Sequence, residues 1–335
     1  MTMRSTRFTL LLTVLAACST PVPVRPPDAT SPADAFTLSL DAPGVDAPSL
    51  DAPAVDAVSS VDAFRADAGP RVCDPRSAFG MPTLLAVVNS AAVDTGATLS
   101  ADERTIYFSS NRDGTHDVWV ANRTDRFEPF AEPSSLPDTY DAEGAELHPH
   151  LTPDGMRLLL AVYRPGGVTA DYDIWLTSRT VAGGAFSPPV SASGLNSGAY
   201  ELNPFVSGGF VWFMSDRERG AGNYDIFRAA DGATFGAPEP VPELVSATSD
   251  GNPVLSSDGL TIYFSSDRSG SMGDVDVWVA HRSTPSGTFS DIALEPAVNS
   301  TGPDRPSWLS PDGCRLYLYS ERAGSADFDL YVAER

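Results

Sequence analysis

Five carboxylates recur along this 335-residue chain at nearly even intervals: Asp94, Glu146, Glu201, Asp250 and Asp304. Acids set at one repeated position could bind a cation, receive a basic peptide segment, or act as acid and base on a glycosidic bond. The structural alternative is that each caps backbone amides or pairs with a side chain of the neighbouring repeat. Their equivalence favours the structural role, because an acid needed in every repeat is explained by packing more simply than by one shared ligand. His148 and His150 alternate just beyond Glu146, and the three form the one grouping that suits a metal or acid-base site. Lacking a third fixed ligand, the histidines also fit a solvated lining. An arginine follows each acid by eighteen positions (sixteen in the third copy): Arg112, Arg164, Arg217, Arg268 and Arg322. A second series of acids, Asp117, Asp173, Asp225, Asp276 and Asp329, each precedes an apolar-aromatic pair. An Arg and an Asp in every copy point to a structural ion pair or loop-bracing hydrogen bonds. The oxygens of Asn111, Asp113, Thr115 and Asp117 have a spacing that suits Ca2+ without the full EF-hand pattern, so calcium is the one cofactor left open. No G-x-S-x-G or H-E-x-x-H occurs, which removes the nucleophilic and zinc-hydrolase readings.

The elements that hold these residues are strands. The arginines are separated by 52, 53, 51 and 54 positions, and a period near fifty with strand chemistry inside it indicates a β-propeller or a solenoid. Strand b of each copy is expected at 105–109, 158–162, 211–214, 261–265 and 316–319. One face holds Ile106 and Phe108 or their equivalents; the position between holds Tyr107, Leu159, Trp212, Tyr263 and Tyr317. Strands apolar on both faces are sandwiched between sheets, as in propeller blades. Asp154-Gly155, Asp258-Gly259 and Asp312-Gly313 supply tight turns before strand b, replaced by Asp102-Glu103 and Gly208-Gly209 in the other copies. Strand c begins at the second acid. Strand d is expected at Phe127–Phe130, Phe186–Pro189, Phe235–Pro238 and Phe289–Ile292.

Four d strands follow five c strands, so the missing one is expected at the front, within Met81–Val88. A strand from there closes the last of five four-stranded blades and removes an exposed sheet edge; six blades is the alternative. In such a ring the five acids enter the innermost strands at one mouth of the central channel. Cys73 precedes the closing strand and Cys314 lies in the last blade, so a disulfide clasp is expected, with two buried thiols as the alternative.

The phrases P-x-x-S-x-D-G, IYFSSDR and D-(V/I)-W resemble the TolB-like, WD-like propeller repeat of bacterial envelope proteins, over roughly 81–335. The resemblance implies a propeller that binds proteins or envelope components. TolB itself has six blades and a separate N-terminal domain, so its role does not carry over.

Residues 1–17 read as a signal peptide: Arg4 and Arg7, an apolar run from Phe8 to Leu15, then Leu15-Ala16-Ala17-Cys18. The last four match the lipobox, which implies lipidation at Cys18 and, with Ser19 next, an outer-membrane lipoprotein, periplasmic or surface-exposed. Residues 18–71 read as a disordered tether, with Asp41, Asp46, Asp51 and Asp56 opening proline-bearing or valine-bearing repeats too polar to pack. Residues 72–335 are the propeller. The net charge is −22 with every basic residue an arginine, which argues against nucleic acid as partner. The expectation is a monomeric, non-enzymatic propeller, on the membrane through its lipid, binding a protein or cell-wall component. A glycan-binding or glycosidase-like propeller using channel carboxylates is the alternative.

Overall fold

Alternating apolar residues over six or seven positions, broken by Asp-Gly turns, form strands and no helix among the described residues. The computed structural model describes residues 73–136, 144–163, 171–218, 223–325 and 327–335. The chain divides into units Met1–Asp67 and Ala68–Arg335. The first unit, with the signal peptide, Cys18 and nearly all of the expected tether, lies outside the described residues, as does Arg164.

Strand β1 (Thr83–Leu84) comes first, followed by four consecutive blades. Blade 1 is β2 (Asp94–Leu99), β3 (Thr105–Ser110), β4 (Asp117–Asn122) and β5 (Ser134–Ser135). Blade 2 is β6 (Ala145–Leu151), β7 (Arg157–Tyr163), β8 (Tyr172–Ser178) and β9 (Val190–Ser191). Blade 3 is β10 (Glu201–Ser207), β11 (Phe210–Ser215), β12 (Asp225–Ala230) and β13 (Glu239–Pro240). Blade 4 is β14 (Asp250–Leu255), β15 (Thr261–Ser266), β16 (Asp276–His281) and β17 (Ser290–Leu294). Blade 5 contains β18 (Asp304–Leu309), β19 (Arg315–Ser320) and β20 (Asp329–Glu334), completed by β1. Every sheet is antiparallel, and the inner strands touch in the cycle β2, β6, β10, β14, β18 and back to β2. The ring therefore has five blades and not six.

The second strand of each blade is buried on both faces. Ile106, Phe108, Leu158, Leu160, Val211, Phe213, Ile262, Phe264, Leu316 and Leu318 are all fully enclosed, and Tyr107, Leu159, Trp212, Tyr263 and Tyr317 fill the opposite side. Each such side chain contributes roughly 1.5–3 kcal/mol of burial. The outermost strands depart from expectation. β5, β9 and β13 start after the expected segments because Phe130 and Phe186 turn into the core, and Pro129, Pro188, Pro189 and Pro238 have no N–H to give a ladder.

Closure joins both chain ends of the propeller. Thr83 and Leu84 pair with Val332 and Tyr331, and Gly80 N–H donates to the Glu334 carbonyl at 2.7 Å. The structure joins Cys73 to Cys314 as a disulfide, with Cα atoms 6.1 Å apart. It ties the segment before β1 to the inner turn of blade 5. Losing a cross-link that spans 241 positions removes up to roughly 5 kcal/mol in the chain-entropy picture. Cys73→Ser is expected to lower the Tm of the non-reduced protein by several degrees and to expose one more thiol on denaturation than the parent does. An unchanged Tm, or two titratable thiols besides Cys18 in the parent protein, would contradict the clasp.

Candidate functional site

All five repeated acids sit at the head of the inner strands, at one end of the ring, and are buried. Four of them do not form an open carboxylate ring, because each is held by the arginine of its own blade: Asp94–Arg112 at 2.7 Å, Glu201–Arg217 at 2.9 Å, Asp250–Arg268 at 2.6 Å and Asp304–Arg322 at 2.6 Å. The same arginine does more. Its Nε donates to a serine two residues earlier, Ser110, Ser215, Ser266 or Ser320, at 2.8–3.1 Å. Its Nη2 also donates to the carbonyl of Val88, Leu195, Leu244 or Val298, in the connection from the preceding outer strand. The guanidinium lies over aromatic rings, as Arg112 does over Trp119 at 4.7 Å and Arg322 over Tyr331 at 4.6 Å. The acid in turn accepts from the amide of Ser90, Ser197, Ser246 or Ser300. One Arg–carboxylate pair thus fastens the connection, the inner strand, the second strand and the third. Glu146 is buried likewise, with Arg164 outside the described residues.

Among the described residues, the arginines of this series form their ion pairs with the inner-strand acids, and Asp117, Asp276 and Asp329 of the second series have other partners. Asp276 accepts from the amides of Met272 and Gly273, Asp329 from the hydroxyl of Ser325, and Asp117 from that of Thr115. They brace the loop between the second and third strands. Asp225 opens β12 in the same position. In the loop expected to suit calcium, Asn111 Oδ1 accepts from Val93 N–H at 2.8 Å and Thr115 Oγ1 donates to Asp117 at 3.2 Å. No group of three or more His, Cys, Asp or Glu among the described residues could hold a metal.

The expected Glu146, His148 and His150 cluster does not assemble. Two residues after each acid the inner strand bulges, and Gly96, His148, Asn203 and Asn252 all adopt positive φ, between 49° and 59°. The bulge breaks the alternation and sends the two imidazoles to different places. His148 crosses the axis to stack on Tyr319 of blade 5 at 5.9 Å. Gly96 is obligatory there, since a Cβ would lie 2.8 Å from the His148 Cα. Asn252 joins the same knot, donating to Tyr319 Oη at 2.8 Å and accepting from Ser265 at 2.8 Å. His150 packs on Phe205 at 4.4 Å, with neither ring nitrogen hydrogen-bonded among the described residues. Burial holds both imidazoles down at about 3, so both are neutral at physiological pH.

The axis is consequently almost filled. A space of about 20 Å³ remains between the bulges, and one of about 100 Å³ opens at the turn end, walled by Leu99, Leu151, Leu255 and Trp308. At the periphery a larger groove of about 300 Å³ lies between blades 1 and 2.

A second repeated arginine was legible but not singled out: Arg123, Arg179, Arg282 and Arg335 stand six residues after the third-strand aspartate. Each Nε donates to an inner-turn carbonyl, of Glu103, Gly155, Gly259 or Gly313, at 2.6–2.8 Å. Each guanidinium covers a phenylalanine, Phe130, Phe186, Phe289 or Phe79, at 4.1–4.6 Å. Blade 3 has Asp231 there, which pairs instead with Arg157 of blade 2 at 2.8 Å.

No family model and no curated protein matches the chain. Solved structures do. They include TolB from Acinetobacter baumannii, 16% identical over 74% of this chain and 56% of that one, TM-score 0.46. A putative TolB from Agrobacterium tumefaciens is 20% identical over 72% and 78% of the two chains, TM-score 0.43. A GH62 hydrolase in complex with xylotriose is 11% identical over 78% and 98%, TM-score 0.50. The propeller fold is what this chain has in common with that hydrolase. The chain spans little more than half the length of the Acinetobacter protein, 56%.

The aspartates of the third strands face the next blade's inner acid, and the electrostatics register it. Asp173 is pushed up to about 6, first by burial and then by the charges of Glu201 and Asp171. Burial also raises Asp276 and Asp329, with Asp304 and Asp94 as the neighbouring charges. Between a normal Asp value of about 3.9 and 6, the folded protein retains a proton that the unfolded chain has lost. Stability therefore falls as pH rises through that window. Asp173→Asn is expected to raise the Tm at pH 7.5 and leave it nearly unchanged at pH 4; a lower Tm at pH 7.5 would contradict this coupling.

Proposed function

We propose that the chain is a lipid-anchored, non-enzymatic propeller that binds a protein or cell-wall component in the bacterial envelope. The supporting observation is the commitment of the repeated carboxylates. A glycosidase needs two free acids flanking a bound sugar, about 5–10 Å apart. Here four of the five are buried against arginines at 2.6–2.9 Å, and the axial spaces measure about 20 and 100 Å³. Small-molecule sites usually take about 300–1,000 Å³. The fold shared with a hydrolase therefore does not bring its chemistry. The lipid anchor is inferred from Leu15-Ala16-Ala17-Cys18, and envelope location follows from the anchor.

Two measurements test this reading. Palmitate labelling in a bacterial host should be lost in Cys18→Ser, and equal labelling of both forms would refute the anchor. Immobilised full chain should retain sacculi or a defined envelope protein with saturable affinity while leaving xylo- and arabino-oligosaccharides uncleaved. Turnover of either glycan, or the absence of any saturable envelope ligand, would overturn the binding role.

A further inference from the structure

Tyrosine serves two purposes in this propeller. Tyr107, Tyr263, Tyr317, Tyr319 and Tyr331 are buried, and their hydroxyls meet Arg179, Arg335, Arg123, Asn252 and Ser325 respectively. Tyr163, Tyr172, Tyr200 and Tyr224 are only half-buried, and none of their hydroxyls is hydrogen-bonded among the described residues. All four gather at the acid end of blades 2 and 3. Tyr163 and Tyr172 stand opposite each other on β7 and β8 with ring centres 5.3 Å apart, and Tyr172 meets Tyr200 of the next blade at 6.0 Å. Tyr224 continues the row, close enough that burial and then the charges of Asp216, Tyr200 and Tyr172 push it up to about 12.

The blade repeat does not require this row. β7 and β8 run seven residues where the second and third strands of the other blades run six, and the added pair is Tyr163 with Tyr172. In blades 1, 3 and 4 the residue in the place of Tyr163 braces the inner strand: Asn111, Asp216 and Asp267 accept from the amides of Val93, Tyr200 and Ser249 at 2.8–2.9 Å. Blade 5 has Pro303 there, with no amide to brace. Blade 2 gives up the short acceptor for a ring. The row also borders uncompensated charge. Asp173, next to Tyr172, has a buried Oδ1 without a hydrogen-bond partner, and the charges that act on it, those of Glu201 and Asp171, are both negative. The guanidinium beside Tyr200, that of Arg217, is held by Glu201 at 2.9 Å. The site includes neither Arg164 nor Arg219, which lie outside the described residues.

We propose that this tyrosine row, with Asp171 and Asp173, docks an arginine-bearing extended segment of a partner protein, the guanidinium lying on the rings and facing the two carboxylates. The propeller surrounds its own arginines in the same way, since Arg322 lies over Tyr331 at 4.6 Å while pairing with Asp304 at 2.6 Å. A guanidinium stacks on an aromatic face and keeps its fork for a carboxylate, which a lysine ammonium does not. Alternate residues of an extended chain project to one side about 6–7 Å apart. Successive rings here lie 5.3 and 6.0 Å apart, so arginines at alternate positions meet successive tyrosines. The net charge of −22 favours the approach of a basic segment over an acidic one. The inference rests on the chain being a binding domain and names the chemistry of a protein partner.

The full chain is titrated by calorimetry with acetyl-Gly-Arg-Gly-Arg-Gly-amide, with the citrulline counterpart that keeps the shape and loses the charge, and with an N-acetylglucosamine tetramer. The arginine peptide should bind saturably, at least tenfold tighter than the citrulline peptide. Tyr172→Leu keeps an apolar side chain without the ring and should weaken binding at least tenfold. Asp173→Asn should do the same, and since its fold is expected to be the stabler one at pH 7.5, the loss cannot come from unfolding. No saturable binding of the arginine peptide, equal affinity for the citrulline peptide, or full binding by either variant would overturn the site. Binding of the sugar tetramer that Tyr172→Leu abolishes, with none of the arginine peptide, would overturn the cationic class. Retention of sacculi or of an envelope protein is measured without the peptide, so this site and the wider binding role fail separately.

Discussion

The buried carboxylate–arginine clasp is the interaction on which the rest of the propeller depends. A blade is a small sheet with little to hold its inner strand at a fixed angle to its outer strands. The clasp supplies that constraint at the end where the chain enters, because one guanidinium binds the inner acid, the preceding connection and the serine of the second strand, and covers the aromatics beyond. Neither partner is tolerable alone: an unpaired ion in such a place costs several kcal/mol, and the benefit lies in each leaving the other satisfied. Four of the five repeated acids are thereby held by an arginine of their own blade.

The opposite end of each blade has its own lock, in the second arginine and the phenylalanine beneath it. The two locks leave different things free. At the acid end the third-strand aspartates remain close to the next blade's carboxylate, which raises Asp173, Asp276 and Asp329. At the turn end the locks are completed by varying side chains: Trp212 beside Phe289, Phe79 against Tyr263, and the Glu103–Arg315 pair. Between blades 1 and 2 Tyr107 makes the same contact, its ring meeting Phe186 edge-on at 6.2 Å and its hydroxyl accepting from Arg179 at 3.3 Å, and the turn beneath Arg179 uses Gly155 in the left-handed region. Glu103 shows the converse, accepting a left-handed φ of 58° in a turn where others use glycine while its carboxylate meets Arg315 at 2.6 Å.

Much of this was legible in the residues. The period, the double-faced second strands and the echo of Val87-Val88-Asn89-Ser90 in Ala297-Val298-Asn299-Ser300 suffice for five blades and their closure. The arginine eighteen residues after the acid was visible, but a repeat aligns every column at once and does not say which columns touch; hence the pairing with the third-strand aspartate was an open alternative. The bulges were also in the sequence, since Gly96, His148, Asn203 and Asn252 are residue types that tolerate positive φ. Reading His148 and His150 as simple alternation hid them. Prolines shifted the outer strands for the same local reason. The contacts that close the blade interfaces, such as Tyr107 against Phe186 and Glu103 against Arg315, were not legible, because they join different repeats and are visible only in space.

A double-mutant cycle on Asp250 and Arg268 tests the central claim most directly. Asp250→Asn and Arg268→Gln are measured singly and together by chemical denaturation. The clasp predicts that each single change costs about 3–5 kcal/mol, and that the double variant loses at least ~1 kcal/mol less than the two combined. Additive effects below about 0.5 kcal/mol each, or a stabler Asp250→Asn protein, would show that the inner acids repel one another as an open ring and that the clasp does not hold the blades.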